Sequence, residues 1–297
     1  MIKRSDWYLS EINEIQKILK DLPSTHVIER LSFESRLKSA RLGLEQELAN
    51  PQPSYATLVF RGKPVAGSRG IAADFGGKAA SAFTDAFAAV AAGLNESLHS
   101  MGPIPDRAKN QLLITGTAMG SFGFEFELPA SGLPSEQKRA DDAFEMIQAV
   151  FEASATGSDD DLGELVDTIH PRAVKKISEF LGLLSQHQAW CGVEFKHKIF
   201  RFQGLDQLTQ SATRLGDENI KESRQIFHGQ FMGVLPHSRT FEFQTLDREV
   251  IKGKIGSAIE DPDVMNADWL KRDVTITLDV IQVGQGRERF TLNGLGS

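Results

Sequence analysis

A chain of 297 residues, 40% hydrophobic and 25% charged, is long enough for two or three domains of typical size. Its net charge of −7, from 33 basic and 40 acidic side chains, argues against a globally basic nucleic-acid binder. A single cysteine, Cys191, excludes an internal disulfide and leaves no basis for a thiolate zinc cluster.

The first residues, Met1-Ile2-Lys3-Arg4, lead into a stretch interrupted by Glu11, Glu14, Lys17 and Lys20, which predicts no secretory signal. The most apolar window, residues 79–98, carries Asp85, Asn95 and Glu96 and is too polar to span a membrane. A cytoplasmic location with no membrane partner is the expectation.

Residues 1–54 read as a helical hairpin. Leu9, Ile12, Ile15, Leu19 and Leu22 keep helical spacing, and Pro23-Ser24-Thr25 breaks the run. Val27, Leu31, Leu37, Leu44 and Leu48 then mark a second helix, ended before Asn50-Pro51. Residues 55–222 form an α+β domain. A strand over 55–60 precedes an alanine-rich helix with Phe75, Ala79, Phe83, Phe87 and Val90 on one face. Strands follow over 111–117 and 121–128, the second with alternating Phe122, Phe124, Phe126 and Leu128.

The part from 132 to 222 is helical and acidic. Its 10 basic and 16 acidic residues sum to −6, almost the whole net charge. Ser158-Asp159-Asp160-Asp161 has capping-box spacing, and Pro171 suits the first position of a helix. Val193, Phe195, Phe200 and Phe202 then suggest a strand or bent hairpin before a last helix. Residues 223–297 alternate through five short strands, with turns at 246–249 and at Gly284-Gln285-Gly286. This predicts a small β-barrel of SH3-like or OB-like type. The fold class expected is therefore α+β: helical hairpin, mixed α/β unit, helical middle region and C-terminal barrel.

No decisive catalytic motif is present. Gly67-Ser68-Arg69-Gly70, ahead of a helix, has the amides and the cation to hold an anion, yet fits neither the P-loop nor the dinucleotide spacing. Gly116 to Ser121 joins small, hydroxyl-rich strand ends where a ligand could approach, but lacks the glycine of a nucleophile elbow before Ser121. For both stretches the simpler reading is a turn. Lys196, Lys198 and Arg201, interleaved with Phe200, together with Arg287 and Arg289 of the barrel, form the nucleic-acid candidate. The competing reading is the solvated face of half-buried strands. Asp159-Asp160-Asp161 diverge around a helix and read as a cap rather than a metal triplet. None of the seven histidines forms an i,i+4 pair, and neither metal nor cofactor is expected.

The leading expectation is a non-enzymatic binding or regulatory protein acting through protein–protein contacts, homo-oligomerisation included. A nucleic-acid-associated accessory or effector of a bacterial defence or toxin system is the alternative. An enzyme acting on an anionic small molecule, using Arg69 and the Gly116 to Ser121 region, is the third.

Overall fold

The computed structural model describes residues 4–23, 26–49, 54–95, 98, 99, 101–105, 107, 109–118, 122–128, 134–256 and 258–295. The fold is α+β. It divides into two compact units, Met1–Ser54 with Leu128–Arg139, and Tyr55–Glu127 with Ala140–Ser297. No helix among the described residues is long and apolar enough to cross a membrane.

In the first unit, α1 (Arg4–Asp21) and α2 (Val27–Ala49) run antiparallel. Arg36 pairs with Glu11 at 2.9 Å, and Gly43 leaves room for the Tyr8 ring, which a Cβ there would strike. The apolar side chains of α2 that are buried or half-buried among the described residues include Phe33, Leu37, Ala40 and Leu44, spaced four, three and four apart. Leu37 and Leu44 face inward as expected, but Val27 and Leu31 are exposed, because the inward stripe of α2 is centred on Leu37 and Ala40 and turns residues 27, 28, 31 and 42 outward; Leu9 of α1 is exposed too.

The second unit contains a five-stranded sheet and a barrel. The sheet has the order β2-β3-β1-β4-β5, from β1 (Ser54–Gly62), β2 (Leu113–Thr117), β3 (Phe122–Leu128), β4 (Ala189–Phe195) and β5 (Lys198–Arg201). On β1, Ala56, Leu58 and Phe60 are buried while Thr57 and Val59 are only half-buried, as a strand covered on one face requires. Gly123 of β3 sits so close to β1 that a Cβ would overlap the Leu58 carbonyl.

The helices α3 (Ala73–Gly93), α4 (Pro134–Thr156) and α6 (Pro171–Gln186) fill the core with phenylalanines. Phe83 of α3 touches Phe126 of β3 and Phe180 of α6, at ring separations of 5.0 and 5.5 Å. Phe87 meets Phe144 of α4, which in turn meets Phe195 of β4. Alanines at 86, 88, 89, 91 and 92 let α3 be buried nearly all round. Two shorter helices, α5 (Asp159–Val166) and α7 (Leu205–Arg214), complete this layer.

The barrel starts with β6 (Ile220–Leu235), three residues before the expected boundary. It continues through β7 (Thr240–Thr245), β8 (Val250–Ile255), α8 (Pro262–Trp269), β9 (Asp273–Val283) and β10 (Arg289–Leu295). It closes in the order β10-β8-β7-β6-β9, with β10 antiparallel to β9 and parallel to β8. A helix between the third and fourth strands, with the third and fifth strands parallel, is the OB-type arrangement. Of the two barrel types expected, this is the one formed. Phe231, Phe241, Phe243, Ile276, Leu278 and Leu292 fill its interior. β6 pairs with β9 over residues 220–230 and with β7 over 229–235, with a register shift between Phe231 and Gly233, whose φ is +128°. There Asn266 of α8 accepts from Val234 N–H at 2.8 Å and donates to Val234 C=O at 3.1 Å, which satisfies the backbone at the bulge.

Candidate functional site

The sequence-predicted residues fall in separate places. Residues 67–70 form a tight turn between Val65 and Ile71. Ala66 N–H donates to Gly70 C=O and Arg69 N–H to Ala66 C=O, and Gly67 takes the left-handed φ of +59°. Ser68 and Arg69 are exposed there. Gly116 lies on the edge strand β2 at a register shift, where the absent side chain leaves space for the Glu125 carboxylate. Ser121 lies outside the described residues.

Lys196 occupies the β4–β5 turn with φ of +53° and is held by Glu145 at 2.8 Å and Asp141 at 3.1 Å. Its hydrogen bond to Glu145, then that to Asp141, raises its pKa. Lys198 and Arg201 are exposed on β5, and their odd spacing puts them on opposite faces of the strand. Phe200 is half-buried, edge-on to Phe202 at 4.9 Å. These cations therefore do not converge on one surface.

Arg287 and Arg289 do enter a cluster, one that sequence reasoning missed. The turn between β9 and β10 docks on the start of α5. Gln285 N–H donates to Asp159 Oδ2 at 3.0 Å and Arg287 N–H to Asp160 Oδ1 at 2.8 Å. Arg287 Nε lies 3.3 Å from Asp160 Oδ2, and Arg289 Nη2 donates to the Asp160 carbonyl at 2.8 Å. Gly284, at φ of +55°, has no room for a Cβ against the Asp159 carboxylate.

From the other side Arg214 at the end of α7 donates to Asp159 Oδ1 at 2.9 Å. It also donates to the α4 carbonyls of Ala153 and Ser154 at 3.2 and 2.8 Å. Asn219 closes the ring, donating to Arg214 C=O and accepting from Gly284 N–H. The third aspartate, Asp161, caps its own helix: its N–H donates to Ser158 Oγ, and Ser158 N–H donates back to its carboxylate. The expected capping box is thus formed.

These contacts hold all three carboxyls below the usual aspartate value. For Asp159 the largest cause is the Gln285 amide, followed by the Arg214 hydrogen bond; for Asp160 it is the Arg287 amide; for Asp161 it is the Ser158 hydroxyl. Turn amides combined with guanidinium groups form an oxyanion-binding donor set. Here aspartates fill it. The sequence signal was a run of three aspartates at a helix start facing a Gly-x-Gly-Arg-x-Arg turn, but 126 residues separate Asp159 from Gln285.

A cleft of about 580 Å³ lies at the start of α6. Its apolar lining comes from Val166, Val174, Leu215 and Ile220, and its polar lining from His170, Arg172, Lys175, Asp217 and Glu222. Neither Arg69 nor Gly116 lines it. The start of α6 offers the cleft little as an anion site. Position 171 is proline, Arg172 N–H donates to His170 Nδ1, and the N–H groups of Ala173 and Val174 both go to His170 C=O. The Arg172 guanidinium is taken by the carbonyls of His99 and Gly102, and Lys175 sits 3.6 Å from Asp217. Burial first, then Arg172 and His99, lowers the His170 pKa, so the imidazole is neutral in the fold.

Cys191 is buried, and burial pushes its thiol far above the ordinary range, so it is no nucleophile. Among the described residues no group of three or more histidine, cysteine, aspartate or glutamate side chains is placed to hold a metal ion. No protein-family model matches the chain, and no curated protein or solved structure is significantly similar to it, so any functional reading rests on its own geometry.

Proposed function

We propose that this chain is a nucleic-acid-binding accessory protein whose C-terminal barrel engages a single strand. The observation that carries the reading is the strand order of the barrel. In OB-type barrels the ligand surface is the outer face of the second and third strands, flanked by the first–second and fourth–fifth loops. In this chain that face corresponds to β7 and β8, where Lys252, paired with Glu242 at 2.7 Å, and Lys254, paired with Asp167, stand beside exposed Leu246 and Val250. The fourth–fifth loop is the turn carrying Arg287. Cations answer phosphate, while the exposed aliphatic side chains offer apolar contact to sugar and base.

Residues 223–297 carry 9 basic and 10 acidic side chains, so the barrel's net charge of −1 favours a local contact over general polyanion affinity. Binding is accordingly weak and salt-sensitive. Two phosphate contacts, from Lys252 and Lys254 exchanging Glu242 and Asp167 for phosphate, give a slope of log Kobs against log salt of about −1.4. Fluorescence anisotropy of a labelled oligothymidylate, titrated at low salt and then with added salt, checks this. Lys252→Glu with Lys254→Glu should abolish the signal. Absence of binding at low salt by both DNA and RNA single strands would overturn the reading.

A second reading, protein–protein contact or self-association through the hairpin, is supported by a different observation. Ile28, Leu31 and Leu42 line one outward stripe of α2, with Ile28 85% exposed. Exposed aliphatics on one side of a helix are available to an interaction surface.

A further inference from the structure

From Asp159 to Asp167 the chain carries five acidic residues, Asp159, Asp160, Asp161, Glu164 and Asp167, and no basic one. This segment lies along the basic edge of the barrel. Its N-terminal end meets the β9–β10 turn, and at its C-terminal end Asp167 pairs with Lys254 of β8 at 2.5 Å. Between them Gly163 leaves room for Arg289, whose Nε would lie 3.1 Å from a Cβ there. Two of these cations, Lys254 and Arg287, belong to the surface on which a strand would lie. Asp160 takes from Arg287 a backbone N–H and a guanidinium nitrogen, which are the donors a phosphodiester oxygen would take.

We propose that α5 is an internal pseudo-ligand of the barrel, and that a single-stranded nucleic acid binds fully only by displacing Asp160 from Arg287. The proposal rests on the barrel reading above.

The contact is built to release from one end. Arg214 and Asp159 are shielded, with side chains 16% and 33% exposed, and Arg214 is also anchored on α4 carbonyls. Arg287 and Asp160 are open, at 82% and 40%. An exposed pair is weak and screened by salt, whereas the shielded pair persists. The Lys252–Glu242 pair is as open, at 71% and 50%, so a strand that has taken Lys252 competes with Asp160 at a high local concentration, while Asp159 and Arg214 keep the helix attached. Charge sign selects the competitor: a neutral or cationic ligand gains nothing at Arg287.

The test compares oligothymidylate binding by the full chain and by variants. Asp160→Ala frees Arg287 and should bind about tenfold more tightly than wild type, with a salt slope steeper by about 0.7 for one added contact. Adding Glu164→Ala and Asp167→Asn should extend the gain, and adding Arg287→Glu to Asp160→Ala should cancel it. A control lacking two acids elsewhere, Asp74→Asn with Asp206→Asn, should bind as wild type does. Circular dichroism confirms folding, and the exposed single site decides the matter if the triple variant does not fold. Wild-type binding with no gain in folded Asp160→Ala would overturn the gating and leave the barrel reading standing. An equal gain in the control would overturn the gating too, as a bulk charge effect. No binding by any of these proteins would overturn the barrel reading and the gating with it.

Discussion

Arg214 is the side chain on which most of the α5 cluster converges. It donates to two carbonyls near the end of α4 and to the Asp159 carboxylate at once, and its exposure is low. Arg214→Ala should cost about 2 kcal/mol in urea denaturation, because a shielded carboxylate and two helix-end carbonyls lose a charged donor together. His170 gives a pH-dependent prediction. Its folded pKa lies below the ordinary 6.5, so the unfolded chain takes up a proton first as pH falls. Stability from this group is complete above about pH 6.5 and declines as pH drops toward the folded value. Asn at this position keeps an acceptor for the Arg172 N–H, so His170→Asn should flatten that decline in urea midpoint without uncapping α6. The aspartates act at lower pH. Asp159 and Asp279, the latter held down chiefly by Arg224, contribute stability above 3.8 that is lost as pH falls below it.

Among the elements, α2 shows how a helix can satisfy its periodicity in more than one way. Leucines and other aliphatics stand at 27, 28, 31, 37, 42 and 44, too many for one stripe. Gly43 under Tyr8 and Arg36 opposite Glu11 select the register that buries Ala40 and leaves Ile28 out. Ile28→Asp with Leu42→Asp should therefore leave the thermal midpoint nearly unchanged. If the outward stripe self-associates, the same change should reduce the sedimentation coefficient at high protein concentration; an unchanged value would remove the second reading. The β9–β10 turn behaves differently, since it depends on shape. Gly284→Ala has to accommodate both a left-handed φ and a carboxylate in contact, and should destabilise by roughly 1–3 kcal/mol.

Across the second unit, two cores lie along one chain and are joined by polar contacts. The phenylalanine core around Phe83 holds the sheet and its helices, and Phe83→Ala should cost about 3–5 kcal/mol by calorimetry. The barrel has its own core around Phe231 and Phe243. Between them stand the contacts of Asp159, Asp160 and Asp167 with the barrel and Arg214. Polar contacts of this kind couple two cores weakly compared with shared apolar burial. Arg214→Ala should consequently broaden or split the unfolding transition, whereas Phe83→Ala should lower it.

Periodicity alone placed nearly every element. The strict alternation of Val274, Ile276, Leu278 and Val280 marked β9, and the proline at 171 and the serine at 158 marked helix starts, because these signals arise from neighbours a few residues apart. The barrel's existence was legible for the same reason. Its OB-type closure was not, because the parallel pairing of β8 with β10 joins segments with no shared local signal. The candidate site was still less legible. Arg287 and Arg289 looked like free cations, yet both are held by Asp160; Asp159 to Asp161 looked like a plain cap, yet only Asp161 serves the capping box. Only the docking of a glycine turn on a helix start 126 residues away turns them into one cluster, and such pairing follows from three-dimensional closure rather than sequence spacing. The net charge of −7 was fixed by composition, but which acids answer which bases was decided by the tertiary structure.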